Sequence, residues 1–222
     1  SQGEFLPGIT NLTAILKEQG YYQTLMVGSE AGFGGRKTYF ETHGVDKVYD
    51  LLTAWYDGTV ETGYWNDWWG FEDEILFAYA KKELTAISQQ DQPFAFTMLT
   101  VDTHHIDGYV CAACGTEHAE QYENVYACAS RQLEAFIGWL QQQDFWEDTV
   151  VVICGDHRSM DHAYIERAVA PGTSRNMYNC FINSQVQPVQ SKNRIATTVD
   201  IFPSTLAALG CTIEGDRLAL GT

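Results

Sequence analysis

The sequence predicts an α/β domain with a mostly parallel sheet that helices flank on both faces. Three observations predict this fold. Strand patterns alternate with helix patterns, the strands are hydrophobic along their whole length, and the composition is that of a globular protein. Of the 222 residues, 45% are hydrophobic and 19% are charged, which is too apolar for a disordered chain. A chain of this length suits one domain over residues 1–222.

The N-terminal part is predicted to begin with a helix over residues 11–19, because its leucines and isoleucine share one face and Gly20 follows as a helix stop. An apolar strand over residues 21–27 comes next. The other predicted elements of this part are a helix over 37–43 and a short strand over 45–49.

The rest of the chain continues the alternation. A helix is predicted over residues 71–87, and the continuous apolar run 94–101 suits a strand buried on both faces. A long amphipathic helix follows over 120–141, and residues 150–154 form the strongest strand pattern of the chain. The last predicted elements are a strand over 178–182 and a helix over 201–209.

The charge excludes one class of function. The formal net charge is −16, and so acidic a chain repels nucleic-acid backbones, so no nucleic-acid partner is expected. A focused anion site is compatible with this charge. The chain begins at Ser1 without a methionine, so we expect it to be a piece of a longer protein.

Three of the six cysteines lie close together in the sequence, at Cys111, Cys114 and Cys128. With His118 they offer zinc ligands, but no fourth ligand stands at a familiar zinc-finger interval. A disulfide that closes an exposed loop is the favoured interpretation, with Cys114 joined to Cys128 and Cys111 the less favoured partner. It requires an oxidising compartment.

Ligands of such sheets gather beyond the carboxyl ends of the strands, so the residues after each strand are the candidates for chemistry. After residues 21–27 comes a glycine-rich loop that ends at Arg36. Its bare amides and the guanidinium suit a phosphate at the start of the next helix. The alternative is a flexible connection that ends in a solvated arginine.

Polar residues also follow the two other main strands. Residues 102–105 include His104 and His105, which as neighbours on an extended chain cannot both face one site unless the backbone turns there. Asp156 and His157 follow the strand 150–154 and are suited to bind one divalent cation with further ligands. The alternatives are surface histidines in a loop and an Asp–His pair that orders a loop.

Four motifs, in this order and spacing, resemble the extracytoplasmic sulfatase-like domain of the alkaline phosphatase superfamily. They occupy residues 34–36, 100–105, 155–157 and 199–203. Within that superfamily, the phosphoglycerol transferases are the most similar branch, which includes lipoteichoic acid synthases and enzymes that decorate periplasmic glucans. Residues 66–71 and 102–105 look most like the glucan-modifying kind.

The resemblance implies a role for each candidate residue. Asp156 and His157 would be ligands of a catalytic Mn²⁺ or Mg²⁺ ion, Arg36 would grip the phosphate, and His104 would contact the phosphoglycerol group with His105 beside it. A threonine in such enzymes attacks the phosphorus of phosphatidylglycerol or of a donor glucan. A sugar or glycerol hydroxyl then takes the phosphoglycerol group from the phospho-threonine.

The chain departs from the family pattern in its extent. The family's first strand, with another acidic metal ligand, and the segment with the nucleophilic threonine both precede the region where Ser1 begins. The resemblance therefore implies an N-terminally truncated domain that is inactive alone, with its membrane attachment in the missing part, at the periplasmic, extracytoplasmic face of the bacterial inner membrane. Arg158 also stands where many relatives have glycine, and Gly34 stands where lipoteichoic acid synthases have a tryptophan, which leaves the substrate open.

Other functions fit the same motifs. A phosphoethanolamine transferase or a sulfatase of the same superfamily is the alternative among enzymes. A non-catalytic domain that binds glycans or anionic headgroups is the alternative from another class. The aromatic residues between 55 and 71 offer stacking surfaces for a glucan, although aromatic residues pack in cores more often than they bind sugars.

Overall fold

The structure is a computed structural model that describes residues 3–66, 69–215 and 217–221. The described residues form a three-stranded parallel sheet of order β2-β1-β3 and a separate antiparallel pair, β4-β5. The strands are β1 (Tyr22–Val27), β2 (Lys47–Tyr49), β3 (Phe94–Leu99), β4 (Val151–Cys154) and β5 (Asn179–Ile182). The expected α/β fold with a parallel sheet is confirmed.

Seven α-helices surround these strands in the described part of the chain. They are α1 (Leu12–Glu18), α2 (Arg36–Thr42), α3 (Leu51–Asp57), α4 (Asp73–Ile87), α5 (Gln121–Leu140), α6 (His162–Ala168) and α7 (Ile201–Ala208). The sequence analysis missed α3 and α6, which have seven residues each. The signal was present as aspartate caps, since Asp50 and Asp161 each accept a hydrogen bond from the backbone amide three residues on.

The central strand β1 divides the core into two layers. Its side chains alternate, so Leu25 and Val27 pack with Ala31 on one face, and Met26 packs on the other with side chains of α4 and α5. The second layer is larger, and there the Phe77 and Phe136 rings of α4 and α5 lie 5.1 Å apart. β1 is therefore covered on both faces, and its polar residues Gln23 and Thr24 are buried as well.

The expected burial of β3 on both faces is wrong. Thr97 and Leu99 are exposed, and the remaining residues of the strand are half-buried. β3 pairs with β1 along one edge, whereas β4 pairs with β5 in the separate sheet. Because β3 is the last strand of the three-stranded sheet among the described residues, its second edge is not covered by a neighbouring strand.

The loop after β1 is fastened to the segment that precedes α4. The Phe71 amide donates to the Gly28 carbonyl at 3.0 Å, and Ser29 and Gly70 form an isolated β-bridge. The two chains approach so closely that a Cβ atom on Gly70 would clash with the Gly28 carbonyl oxygen. Only glycine fits at this crossing, so Gly70 is needed where the segment before α4 meets the loop after β1.

Replacing Gly70 by alanine is expected to lower the free energy of unfolding by about 2 kcal/mol, because backbone atoms must move apart. Gly138 is the matched control, since it lies within α5 with open space around it. Gly138→Ala should raise stability by roughly 0.5–1 kcal/mol, the ordinary helix preference for alanine. Urea denaturation of both variants tests this, and equal effects would refute the close approach.

Candidate functional site

The loop after β1 ends in a turn that presents Arg36. Residues Phe33–Gly35 form a single 3₁₀ turn, in which Gly34 and Gly35 adopt φ angles of 64° and 76°. These left-handed values favour glycine, and they reverse the chain so that α2 starts at Arg36. The sequence-predicted glycine-rich loop therefore delivers the arginine to the first turn of a helix.

The guanidinium of Arg36 is half-buried and fixed from one side. Its Nη2 donates to Ser29 Oγ at 2.9 Å and to the Glu30 carbonyl at 3.0 Å. Its Nε is buried and has no hydrogen-bond partner among the described residues. Burial lowers the pKa of Arg36, and the carboxylate of Asp50 opposes this shift. The arginine is thus a positioned cation with an unused donor, which suits an anion.

The loop after β3 begins at a pair of buried carboxyl groups. Asp73, at the start of α4, accepts hydrogen bonds from the amides of Val101 and Asp102 at 2.8 and 3.1 Å. Asp102 in turn accepts one from the Asp73 amide at 3.2 Å, while its Oδ1 is buried without a partner in the described chain. These reciprocal bonds fix the end of β3 against the N-terminus of α4.

Burial of the two carboxyl groups favours their protonated forms. Burial, followed by repulsion from Asp73, raises the pKa of Asp102 to about 8. Burial also raises the pKa of Asp73. At neutral pH the pair therefore tends to hold a proton, as closely spaced carboxyl groups do.

His104 and His105 both face the same region, because the backbone turns directly after β3. Their rings stack with centroids 4.4 Å apart, and the His104 ring meets the Trp69 ring at 5.0 Å. Trp69 in turn meets Phe33 at 4.8 Å, and the guanidinium carbon of Arg36 lies 5.8 Å from the Phe33 ring centroid. A continuous row of contacts therefore connects Arg36 to His104.

Asp156 and His157 follow β4, as predicted, and both are exposed. The His157 Nε2 atom lies 3.5 Å from Asp156 Oδ2. Nδ1 of His157 is 2.9 Å from the Arg158 carbonyl. A carbonyl only accepts, so Nδ1 carries the proton and the neutral ring has its lone pair on Nε2.

The charges of Asp156 and His157 affect the pKa of His104. Burial lowers the pKa of His104, and the hydrogen bond to the His105 carbonyl opposes this shift. The charges of His105 and His157 lower the pKa further, while Asp156 raises it. The loop after β4 therefore lies within electrostatic range of the loop after β3. Aromatic contacts join Arg36 to His104 and His105, whereas Asp156 and His157 act on His104 through their charges.

Tyr122 and Asp161 hold the two loops together, and the sequence analysis did not identify either residue. The Tyr122 hydroxyl donates to the Thr103 carbonyl at 2.6 Å and lies 3.2 Å from Ser159 Oγ. Asp161 accepts a hydrogen bond from the Asp107 amide at 2.8 Å. No sequence signal reveals these contacts except the aspartate cap of α6, because their partners are 19 to 54 residues away.

Two further expectations concern metals and aromatic residues. Among the described residues, the only group of three or more potential metal donors is Cys111, Cys114 and Cys128, so Asp156 and His157 are two donors without a third beside them. In the motif over residues 66–71, Asp67 and Trp68 lie outside the described residues.

The cysteines differ from the expectation. The structure has Cys114 and Cys128 as free thiols, so the expected disulfide between them is not formed. Cys111, the less favoured partner in the sequence analysis, instead lies in contact with both sulfur atoms. The loop folds back so that all three thiols meet on α5.

The α/β domain has a cation after β1, imidazoles after β3, and a carboxylate with an imidazole after β4 of the separate strand pair, as the four motifs predict. The chain belongs to the sulfatase family, whose sequence profile matches residues 4–211. The resemblance inferred from the four motifs is thereby confirmed.

Two curated relatives share a name. Phosphoglycerol transferase I of Xanthomonas campestris pv. campestris (strain B100) is 28% identical over 213 residues, which is 93% of this chain and 30% of that protein. Phosphoglycerol transferase I of Salmonella choleraesuis (strain SC-B67) is 30% identical over 171 residues, 73% of this chain and 22% of that protein. The chain thus spans less than a third of the length of these relatives.

Two solved structures share the fold. A protein in the alkaline phosphatase superfamily from Vibrio parahaemolyticus has a TM-score of 0.70 and 24% identity, over 95% of this chain and 49% of that chain. The lipoteichoic acid synthase LtaP from Listeria monocytogenes has a TM-score of 0.73 and 20% identity, over 95% of this chain and 55% of that chain. Within the described residues, no helix has the length and apolarity needed to span a membrane.

The buried carboxyl pair predicts an unusual pH dependence. Because the folded-state pKa of Asp102 lies above its unfolded value, the contribution of this group is most favourable in acid and is lost as the pH rises through about 8. Asp102→Asn removes the titration, so it should raise stability at pH 9 by about 1–3 kcal/mol and by less at pH 5.

Chemical denaturation at several pH values measures this effect. Asp91→Asn is the control, because Asp91 is an exposed aspartate in the turn before β3, and it should change stability little at any pH. A gain in Asp102→Asn that does not grow with pH would contradict the proposed titration.

Proposed function

We propose that this chain is part of a metal-dependent phosphoglycerol transferase. The reaction moves phosphoglycerol from phosphatidylglycerol or a donor glucan to a hydroxyl group of a glucan or of glycerol. The observation that supports the proposal is the row of aromatic contacts that links Arg36 to His104 beyond the ends of β1 and β3. Contacts of Tyr122 also join the loop after β3 to the loop after β4, which carries Asp156 and His157. We choose phosphoglycerol as the transferred group because the curated relatives are named phosphoglycerol transferase I.

Asp156 and His157 fit the metal that this family resemblance implies. Their oxygen and nitrogen donors suit Mn²⁺ or Mg²⁺. The 3.5 Å between Asp156 Oδ2 and His157 Nε2 is close to the roughly 3.0–3.4 Å between two ligands on one ion. The hydrogen bond from His157 Nδ1 to a carbonyl leaves Nε2 as the donor atom, the usual arrangement of a metal-binding histidine.

The remaining ligands would come from substrate, solvent or other parts of the full protein. When bound, the ion supplies positive charge that offsets the charge developing on phosphoryl oxygens.

Arg36 binds the phosphoryl oxygens in this proposal. Its fork is already oriented by Ser29 and Glu30, so little side-chain entropy is lost when an anion arrives. The buried Nε gains the partner that it lacks among the described residues. Such a positioned donor stabilises the transition state more than a mobile lysine does.

His104 orients the group that attacks or leaves. Its lowered pKa keeps the ring neutral at pH 7, and its Nδ1 is hydrogen-bonded to the His105 carbonyl, so the proton is on Nδ1. Nε2 of the neutral ring is then able to take a proton from a glycerol or sugar hydroxyl. The Trp69 and His105 rings hold the imidazole in place from two sides.

The nucleophile belongs to the same proposal. By the family resemblance, a threonine outside residues 1–222 attacks phosphorus, forming a threonine–phosphorus bond as the donor alkoxide leaves. A glucan or glycerol hydroxyl then displaces the threonine. We propose that the reaction takes place at the extracytoplasmic face of the bacterial inner membrane, where phosphatidylglycerol and periplasmic glucans are both within reach.

Activity of the full-length protein tests the role of Arg36. Arg36→Ala is expected to lower kcat/KM for phosphoglycerol transfer by roughly 100-fold or more, and Arg36→Lys should recover only part of it. Lys37→Ala is the control, because Lys37 is an exposed cation on the same helix, and its rate should stay within about twofold.

Mass spectrometry of phosphatidylglycerol and glucans after incubation identifies the transferred group. Release of sulfate, or transfer of phosphoethanolamine, would defeat the phosphoglycerol assignment. Glycan or headgroup binding by the full-length protein without turnover would instead establish a non-catalytic domain.

The metal assignment has its own test. Removal of divalent ions with a chelator is expected to abolish transfer, and Mn²⁺ should restore it. His157→Ala should raise the Mn²⁺ concentration for half-maximal activity at least about tenfold, because a donor is lost. His118→Ala is the control, since that exposed histidine lies elsewhere on the surface, and an equal response of both variants would reject His157 as a ligand.

A further inference from the structure

The thiols of Cys111, Cys114 and Cys128 form a group of potential metal donors beside α5. Cys111 and Cys114 lie in the loop between β3 and α5, and Cys128 lies within α5. Cys111 Sγ is 3.6 Å from Cys114 Sγ and 3.7 Å from Cys128 Sγ, and all three sulfur atoms lie within 4.8 Å of one another. Cys111 and Cys128 are buried, whereas Cys114 is half-buried.

We propose that Cys111, Cys114 and Cys128 bind one zinc ion. Four ligands 2.3 Å from a tetrahedral zinc ion lie about 3.8 Å from each other, and the two closest sulfur pairs here are at 3.6 and 3.7 Å. A disulfide would join two of the three sulfurs and leave a buried odd thiol. A single ion at the centre uses all three.

The backbone already has the form of a zinc-binding turn. Cys111 and Cys114 have the two-residue spacing common in structural zinc sites, and the Cys114 amide donates to the Cys111 carbonyl at 3.1 Å. This turn directs both side chains toward α5, where Cys128 completes the set. The chain therefore loses little conformational freedom when the ion binds.

Gln132 supports the cluster from the next turn of α5. Its Nε2 lies 3.4 Å from Cys128 Sγ and 3.7 Å from Cys111 Sγ, with the amide donating to both sulfurs. Hydrogen bonds of this kind stabilise sulfur when it carries negative charge, as in a metal thiolate. The glutamine is thus an outer partner of the site rather than a ligand.

The fourth position is assigned to water. His118, which the sequence offered as a ligand, is exposed, and its Nδ1 lies 3.7 Å from Glu123 Oε2. His118 does not belong to the group of donors around the three sulfurs. Water reaches the ion from the side of half-buried Cys114. Binding converts three thiols to thiolates and releases their three protons to solvent, without any change of oxidation state.

This site is distinct from the Asp156–His157 pair in chemistry. Sulfur ligands select zinc, whereas the carboxylate and imidazole suit Mn²⁺ or Mg²⁺. The zinc ion would tie the loop that starts near His104 to the body of α5. The proposal does not depend on the identity of the transferred group.

A zinc titration of the full-length protein tests the proposal. The protein carries Asp156→Asn and His157→Ala, so that the candidate active site does not compete, and it is reduced and stripped of metal before Zn²⁺ is added with a chromophoric chelator. One tightly bound zinc ion per chain is expected. Bound zinc should protect Cys111, Cys114 and Cys128 from alkylation, while exposed Cys154 and Cys211 react.

Two variants distinguish zinc bound by the three cysteines from zinc bound adventitiously elsewhere. Cys114→Ser, at the least buried ligand, should remove the tightly bound zinc and the zinc-dependent rise in Tm. Cys211→Ser is the control and should retain both. Co²⁺ in place of zinc should give sulfur-to-metal charge-transfer absorption that disappears only in Cys114→Ser, and circular dichroism verifies that this variant is folded.

Three outcomes would overturn the proposal. They are a reduced protein that binds no zinc tightly, a zinc count that Cys114→Ser leaves unchanged, and a disulfide between two of the three cysteines in peptide maps of protein isolated without reductant from its native compartment.

Discussion

Parallel pairing of β1 with β3 is the constraint on which the rest of the candidate site depends. Val27 pairs with Leu99 at the last position of both strands, so the two following loops leave the sheet at the same edge. One loop carries Arg36 and the other carries His104. Arg36 and His104 are 68 positions apart in the sequence, and the register of β1 and β3 brings their loops to the same edge of the sheet.

Hydrogen bonds of buried polar groups hold the loops after β3 and β4 in place. The Asp73–Asp102 pair secures the end of β3, and the Tyr122 hydroxyl and the Asp161 carboxylate join the loop after β3 to the loop after β4. Such groups stabilise one arrangement of loops, because any other arrangement would leave them buried without partners. The pKa of Asp102 is raised because the carboxyl group is buried, and the nearby Asp73 raises it further.

The net charge is compatible with a focused anion site. A net charge of −16 keeps polyanions away from most of the surface. Under the proposed function, a phosphoryl group would bind where Ser29 and Glu30 orient Arg36. The same acidic surface around a local positive centre favours a divalent ion, which brings more charge to the site than a further lysine would.

The sequence by itself determined the alternation of helices and strands, the motifs after the strands and therefore the family, since each of these features is local in the chain. It predicted that the candidates Arg36, His104 and Asp156 follow strands, because polar residues after apolar strands are visible in sequence. It did not determine that β3 has an open edge, that Tyr122 and Asp161 join two loops, or that Cys111 lies between Cys114 and Cys128. Only the tertiary structure decided these, because they depend on which distant segments pack together, and hydrophobic periodicity reports how one segment is buried but not against what.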